Sequence, residues 1–426
     1  MSEPLDDKHD SVSSTTRPII IIMVVIILTV GTTVGYSATF PIADTTAQSS
    51  TLVGTSSATT LVSTNSTGII STSFSVAGGA NRIIANITLG ISPNAIAFNP
   101  SNNYTYVINS NITGQASLAV ISGQKVIANI PIGRGSYGDP STLVYDPANH
   151  YMYTADSFSN SVHVISGTSL IANVSTGHSP YALAYDPANG YIYAANFNQN
   201  SGQCSGSTVS VISGASVIAN ITVGSGPDRL LFDPATNIMY VANSCSSNLM
   251  LISGLRIVGN VSVGYDPYQM IYNPSNQYIY VTSAVAATQG TLAIISGSKV
   301  VANLAAGVFP SFVLYNPGNN YVYVDSQGQP GPGGNSSILV INGTNLIGNV
   351  TVGNDANALA YNPQNKEVYV SSFGYNEVFV IAGTSFLNAF KVGEGPVALL
   401  YNPLDQTMYV VNNGFVGPGS ISVVSS

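Results

Sequence analysis

Residues able to do chemistry are few in this chain. It carries ten Lys or Arg, 18 Asp or Glu, four His and two Cys in 426 residues. At 7% charged against roughly 25% in an ordinary soluble protein, each ionisable group stands out. His9, His150, His163 and His178 are scattered, and no metalloprotease, nucleophile-elbow, phosphate-loop or calcium-loop spacing surrounds them. No His, Cys or carboxylate cluster has metal-ligand spacing, so neither a metal nor a cofactor is expected. The charges gather in short segments that recur along the chain. Those segments hold Arg134, Asp139, His178, Tyr181, Asp228, Arg229, Asp266, Tyr268, Asp355 and Glu394. If the fold brings them to one face, they form a shallow binding site for a glycan, peptide or cation. If it does not, they are solvated loop tips. Nucleic acid is excluded, because the basic residues form no run able to release counterions from phosphates.

What must position these segments is a repeat. An aromatic-Asn/Asp-Pro tripeptide occurs eight times, beginning at Phe98, Tyr145, Tyr185, Phe232, Tyr272, Tyr315, Tyr361 and Tyr401. Seven positions after each Asn or Asp stands a Tyr: 106, 153, 193, 240, 280, 323, 369 and 409. The physics is that of a tight turn. The Asn or Asp side chain accepts backbone hydrogen bonds, Pro presets φ, and a residue tolerant of positive φ follows. Asp146, Asp186 and Asp233 are therefore read as turn acceptors rather than catalytic acids.

Each repeat contains four short alternating runs, A to D; in the second they are Ser141–Tyr145, Tyr151–Ala155, Ser161–Ile165 and Ser169–Val174. No segment after residue 68 has a 3.6-residue apolar period, so helices are not expected there. Four strands per repeat of 40–47 residues predict an all-β fold, a β-propeller of four-stranded blades. Eight blades are favoured, with seven as the alternative. The last run, Ile421–Val424, is a C strand with no D strand after it, and Arg82–Leu89 fits the missing D. Closing the ring with strands from both ends would remove its open edge. Ser73–Val76 resembles a further C strand and competes for the same place.

In Tyr106-Val107-Ile108-Asn109, Tyr240-Val241-Ala242-Asn243 and Tyr280-Val281-Thr282-Ser283 the chain resembles the YVTN β-propeller repeats of archaeal surface-layer-type and secreted proteins. The resemblance covers about residues 75–426 and departs where Val-Ile-Asp usually ends the third strand; here stands Val164-Ile165-Ser166. It implies a propeller whose A strands line a central channel, and says little about activity.

Residues 1–17 are polar, and an apolar run opens at Pro18; no charge lies between Arg17 and Asp44. That span can cross about 30 Å of hydrocarbon. The expected order is a short cytoplasmic N-terminus (1–17), a transmembrane helix (18–40), a Ser/Thr-rich stalk (41–73) and the propeller (74–426). Lys8 and Arg17 keep the N-terminus inside and send the propeller out. Cleavage of the apolar segment as a signal peptide is the alternative, which would leave a secreted protein.

Ten N-x-S/T sequons favour an extracytoplasmic glycoprotein: Asn65, Asn86, Asn103, Asn111, Asn173, Asn220, Asn260, Asn335, Asn342 and Asn349. An Asn recurs in all eight D runs (86, 129, 173, 220, 260, 303, 349, 388) even where no sequon follows, so its first role is read as structural. Cys204 and Cys245 lie between strands B and C of neighbouring repeats and are expected to form a disulfide. Scarcity of charge suits a surface facing acid, where unpaired Lys and Arg would repel. The resulting expectation is a membrane-tethered surface module that binds a cell-surface protein or glycan. The alternative is an extracellular lactonase-like or quinoprotein-like enzyme with an axial site.

Overall fold

A computed structural model describes residues 35–39, 58–64, 70–76, 81–110, 115–134, 143–198, 205–283, 289–328, 335–415 and 417–425. The chain divides into two compact units, Met1–Ala80 and Asn81–Ser426. In the first, Gly35–Thr39 and Ala58–Thr64 pair antiparallel on either side of Ile70–Val76. Runs of Thr and Ser carrying Ile, Val and Leu favour extended backbone. Two expectations change here. The last residues of the expected membrane helix form a strand, its remainder (18–34) lies outside the described residues, and no described helix is long and apolar enough to cross a membrane. Within the expected stalk and at its end, Ala58–Thr64 and Ile70–Val76 are paired strands. Because Ile70–Val76 is engaged in that sheet, it does not compete for a place in the ring, which begins at Asn81.

The second unit is an eight-bladed propeller of four-stranded antiparallel sheets. Blade 1 comprises Pro93–Asn99 (A), Tyr104–Asn109 (B), Gln115–Ser122 (C) and Lys125–Arg134 (D). Blades 2 to 7 repeat this order, their A strands being Leu143–Asp146, Pro180–Asp186, Pro227–Asp233, Pro267–Asn273, Val313–Asn316 and Ala356–Asn362. Blade 8 is closed from both ends of the unit. Pro396–Asn402, Thr407–Asn412 and Pro418–Ser425 are its A, B and C strands, and Arg82–Ile91 pairs with Pro418–Ser425 as its D. No helix occurs among the described residues.

The turn reading holds in every blade. Asn99, Asp146, Asp186, Asp233, Asn273, Asn316, Asn362 and Asn402 each accept, through Oδ1, the backbone N–H two residues on. The residue four after each has positive φ, as in Asn103 (61°) and Gly190 (74°). The eight repeat tyrosines are fully buried. Seven of their hydroxyls donate to a glycine carbonyl in the C–D turn of the next blade, for example Tyr106 to Gly167 at 2.9 Å.

Each apolar core joins two blades. One contains Tyr106, Ile108, Leu118 and Val120 of blade 1 with Met152 and Ile165 of blade 2. Another closes the ring, packing Tyr409, Ile421 and Ile87 of blade 8 against Val107 and Ile121 of blade 1. Alternation within each strand supplies an apolar face to both neighbours, so the propeller buries its core between sheets. Neighbouring A strands touch one another around the ring and line its axis; D strands form the rim.

Candidate axial binding site

At the axis the A strands surround a cavity of about 730 Å³. Its apolar wall includes Ile96, Leu143, Leu183, Leu230, Leu359 and Leu399, one from each of six blades. Asn94, Gln269, Gln327, Asn357 and Asn413 add polar groups.

A bulge marks the start of strand A in blades 1, 3, 4, 5, 7 and 8; in blades 3, 4 and 5 pairing with strand B shifts at Pro180/Ala182, Pro227/Arg229 and Pro267/Met270. An extra residue there bends the strand and re-aims side chains. Tyr181, Arg229 and Tyr268 lie in these bulged segments and meet. The Arg229 guanidinium lies 5.1 Å from the Tyr181 ring centroid and 4.6 Å from that of Tyr268. A cation held between two rings gains about 2 kcal/mol or more where water is excluded. Arg229 is 8% exposed, and its Nη1 donates to the Asp228 carbonyl at 2.8 Å. The second rings behind the pair are aromatic too, with Phe197 at 5.7 Å from Tyr181 and Phe309 at 6.1 Å from Tyr268.

Asp228 is 6% exposed, and its Oδ1 has no hydrogen-bond partner. Burial raises its carboxyl to about 8 against the pull of Arg229, with Asp266 adding repulsion. Asp266, half-buried at φ 53°, is also raised by burial, and Arg229 opposes the shift. Burial thus favours the protonated form of Asp228, while its carboxyl and the Arg229 guanidinium each stabilise the other's charge.

Tyr181, Asp228, Arg229 and Tyr268 sit inside strand A, where loops were expected. Of the four, Arg229 pairs with Ala242 in the ladder, while Tyr181, Asp228 and Tyr268 are the unpaired residues of the bulges, held between paired neighbours. The other segments do not join them: His178, Asp355 and Glu394 are exposed loop residues that do not line the cavity. Arg134 ends strand D of blade 1, and its side chain and Asp139 lie outside the described residues.

Two buried acids went unread in the sequence. Asp325, in strand B of blade 6, accepts from Ser311 N (2.7 Å), Phe312 N (2.6 Å) and Ser311 Oγ (2.7 Å). Burial outweighs these bonds and raises it to about 7. Gln327 donates to Ser311 Oγ at 3.0 Å, so this network borders the cavity. The signal was available: two positions after the repeat Tyr, other blades have Ile108, Ala155, Ala195, Ala242, Thr282, Ser371 or Val411. The second is Asp156, whose Oδ2 lies 3.3 Å from His163 Nε2. It sits at the interface of blades 1 and 2, where His163 Nε2 is also 2.8 Å from the Ile132 carbonyl.

Among the described residues no group of three His, Cys, Asp or Glu is arranged to hold a metal ion. The third histidine, His150, stacks on Tyr145 and lies 2.8 Å from Ser101 Oγ in the turns of blades 1 and 2.

The eight D-strand asparagines are exposed on the rim, and three show their structural role. Asn220 Oδ1 accepts from Ser210 at 2.7 Å and Asn86 Oδ1 from Ser422 at 3.1 Å, each across the C–D pair. Asn173 Oδ1 meets His163 Nδ1 at 2.6 Å in the same register. Asn103, Asn335 and Asn342 are exposed on turns or strand ends, while Asn65 and Asn111 lie outside the described residues.

No protein-family model matches the chain, and no curated protein matches it in sequence. Solved structures do. The C-terminal WD40 domain of Sif2 is 12% identical with a TM-score of 0.60, over 81% of this chain and 98% of that one. Dihydro-heme d1 dehydrogenase NirN in complex with DHE is 12% identical with a TM-score of 0.57, covering 75% of this chain and 74% of its own. Hydrazine synthase of Kuenenia stuttgartiensis is 16% identical with a TM-score of 0.52, over 66% and 94%. At such identities the likeness shows one thing: the chain has the β-propeller fold, which serves binding domains and enzymes alike.

Proposed function

We propose that this protein is a YVTN-type surface propeller, tethered by its N-terminal apolar segment, that binds an extracellular ligand at its axis. Its glycosylated rim meets a cell-surface protein or glycan. The observation that carries the reading is the Arg229 guanidinium clamped between Tyr181 and Tyr268 at the wall of the axial cavity. Three blades contribute one residue each, and a buried charge costs free energy unless something compensates it. Stability alone would be better served by apolar residues there.

Location is tested on intact cells with a membrane-impermeant amine reagent. Lys125, Lys299, Lys366 and Lys391 are exposed on the propeller, and Lys8 precedes the apolar segment. The four propeller lysines should be labelled and Lys8 spared. Labelling of none of the four would overturn the extracellular placement.

A second reading, an enzyme with an axial site, is favoured by Asp228. A buried carboxyl raised to about 8 is poised for proton transfer near neutrality. The dehydrogenase among the structural neighbours is consistent with such use of the fold. Turnover of a lactone or of a quinone-linked alcohol by the purified chain, abolished in Asp228→Asn, would establish it.

A further inference from the structure

We propose that the axial cavity takes a small organic anion, with a planar oxyanion head such as a carboxylate held at Arg229 and an apolar body lying against the strand-A leucines. This rests on the reading of the axis as a ligand site and names the chemistry of the ligand.

The head follows from the state of Arg229. Its two ring neighbours restrict the guanidinium plane, Nη1 is committed to the Asp228 carbonyl, and the Tyr181 side chain also hydrogen-bonds the guanidinium. What an arginine so held still offers is the edge of its fork, the geometry that matches a carboxylate. Among the described residues the ion pairs are His163–Asp156 and Lys391–Glu377, and neither involves Arg229. The neighbouring carboxyl that could neutralise it, Asp228, is itself driven toward the protonated form by burial. Asp266 is raised by burial too, with Arg229 opposing the shift. Asp228 and Asp266 act on Arg229 through space, but among the described residues no carboxylate stands at ion-pair distance from it.

The body follows from the walls. Leu143, Leu183, Leu230, Leu359 and Leu399 surround the axis, with Gln269 and Asn357 as polar contacts. A volume of about 730 Å³ falls in the range of about 300–1,000 Å³ typical of small-molecule sites. A glycan is disfavoured, because the faces of Tyr181 and Tyr268 that would stack on a sugar are already on the guanidinium. A cation is disfavoured by Arg229 itself.

The test uses the full chain in lipid nanodiscs and calorimetric titration with water-soluble probes. The carboxylates are hexanoate, octanoate and 4-phenylbutyrate; the controls are the matching alcohols and amines. The native protein should bind at least one carboxylate about tenfold or more tightly than its alcohol, with the amine weakest. Arg229→Gln should weaken the carboxylate about tenfold and leave the alcohol unchanged. Should that variant fail to fold, the charge preference of the native protein decides alone. Equal binding of carboxylate and alcohol, or preference for the amine, overturns the anion assignment while leaving axial binding intact. Absence of binding by all probes at millimolar concentration overturns the assignment and the small-molecule reading of the axis with it.

Discussion

Tyr369 Oη donates to Asn81 Oδ1 at 2.7 Å. In the other seven blades the equivalent tyrosine donates to a glycine carbonyl in the next C–D turn. Blade 8 has no such turn, because its C and D strands come from opposite ends of the unit. The asparagine that opens strand D supplies the missing acceptor, and its Nδ2 reaches Asn388 Oδ1 of blade 7 at 3.4 Å. Asn81→Ala should therefore destabilise the propeller by about 1–3 kcal/mol, because the buried Tyr369 hydroxyl, which still accepts from Asn365 Nδ2, loses the acceptor for its proton. Denaturant unfolding of Asn81→Ala, Tyr369→Phe and the double variant checks it. Additive losses would show that the bond does not secure the closure.

Stability should fall as pH rises toward 8. Asp325 and Asp228 have folded pKa values of about 7 and about 8, against an unfolded value near 3.8. Between these limits the folded state holds protons that the unfolded state has lost, so each unit of pH weakens folding. Their contribution is complete below about 3.8 and is lost as pH passes through 7 to 8. Asp325→Asn keeps the polar contacts with Ser311 and Phe312 but cannot titrate. The melting temperature of the native protein should be several degrees higher at pH 5 than at pH 8, and the difference should shrink in Asp325→Asn. A flat profile, or stability rising with pH, would refute the assignment. The sign agrees with a protein built to face acid.

The His163–Asp156 pair works in a bounded window. Burial opposes both charges, but the hydrogen bonds win: Asp156 is lowered and His163 raised. The contribution of Asp156 is present above its unfolded pKa and lost as pH falls through its lowered value. That of His163 is present below about 6.5 and lost as pH rises through its raised value. Both ring nitrogens face oxygen acceptors, at Asn173 Oδ1 and the Ile132 carbonyl, which suits the doubly protonated ring. His163→Leu should cost about 3–5 kcal/mol near pH 6, because a buried carboxylate loses its partner. The loss should be smaller at pH 9, where the native imidazole is neutral. Equal losses at the two pH values would show that the role is packing.

Much of this architecture was legible because it repeats. One turn motif and one tyrosine at a constant offset recur eight times, and the unpaired C strand at the end demanded a D strand from the start. The axial site was legible only in part. Residue types at 181, 228, 229 and 268 stand out through their charge and aromaticity, but the sequence cannot show that three of them, from three blades, meet at the axis. Nor does charge alone separate these from Asp355 and Glu394, which stand two to four positions earlier in the repeat and remain at exposed tips. Asp156 and Asp325 went unread because their burial is set by the neighbouring strand or blade. In the first unit, Thr-rich runs with interspersed Val, Leu and Ile carry no turn motif or fixed offset, so their cross-strand pairing is not legible in composition.

Glycans are expected on the rim. Asn86, Asn173, Asn220, Asn260 and Asn349 are exposed on strand D, and the Ser or Thr two positions on is exposed on the same face: Thr88, Ser175, Thr222, Ser262 and Thr351. In Asn86, Asn173 and Asn220 the amide oxygen is turned to strand C, which directs the modifiable nitrogen elsewhere. Sugars there would shield the outer strand edges from pairing with another sheet. Glycopeptide mass spectrometry of protein from native cells should find these five occupied. Occupancy confined to Asn103, Asn335 and Asn342 would overturn rim coating.

The two cysteines offer the last test. Cys204 lies outside the described residues, and no free cysteine is found among those described. Cys245 follows strand B of blade 4, with Sγ 3.7 Å from Ser244 Oγ. It also sits against Gly226, where an added Cβ would come within 2.8 Å of its sulfur. Gly226 in turn donates its N–H to the Gly206 carbonyl at 2.8 Å. Gly206 is two residues from Cys204 in the sequence, which is the basis for expecting the pair. A bond there would tie blade 3 to blade 4 and close a loop of about 40 residues, worth roughly 3–4 kcal/mol on the chain-entropy account. Thiol titration of the denatured, unreduced protein should find no free thiol, and reduction should lower the melting temperature. Two titratable thiols per chain would show the cysteines unpaired, and the link between the blades would then rest on packing alone.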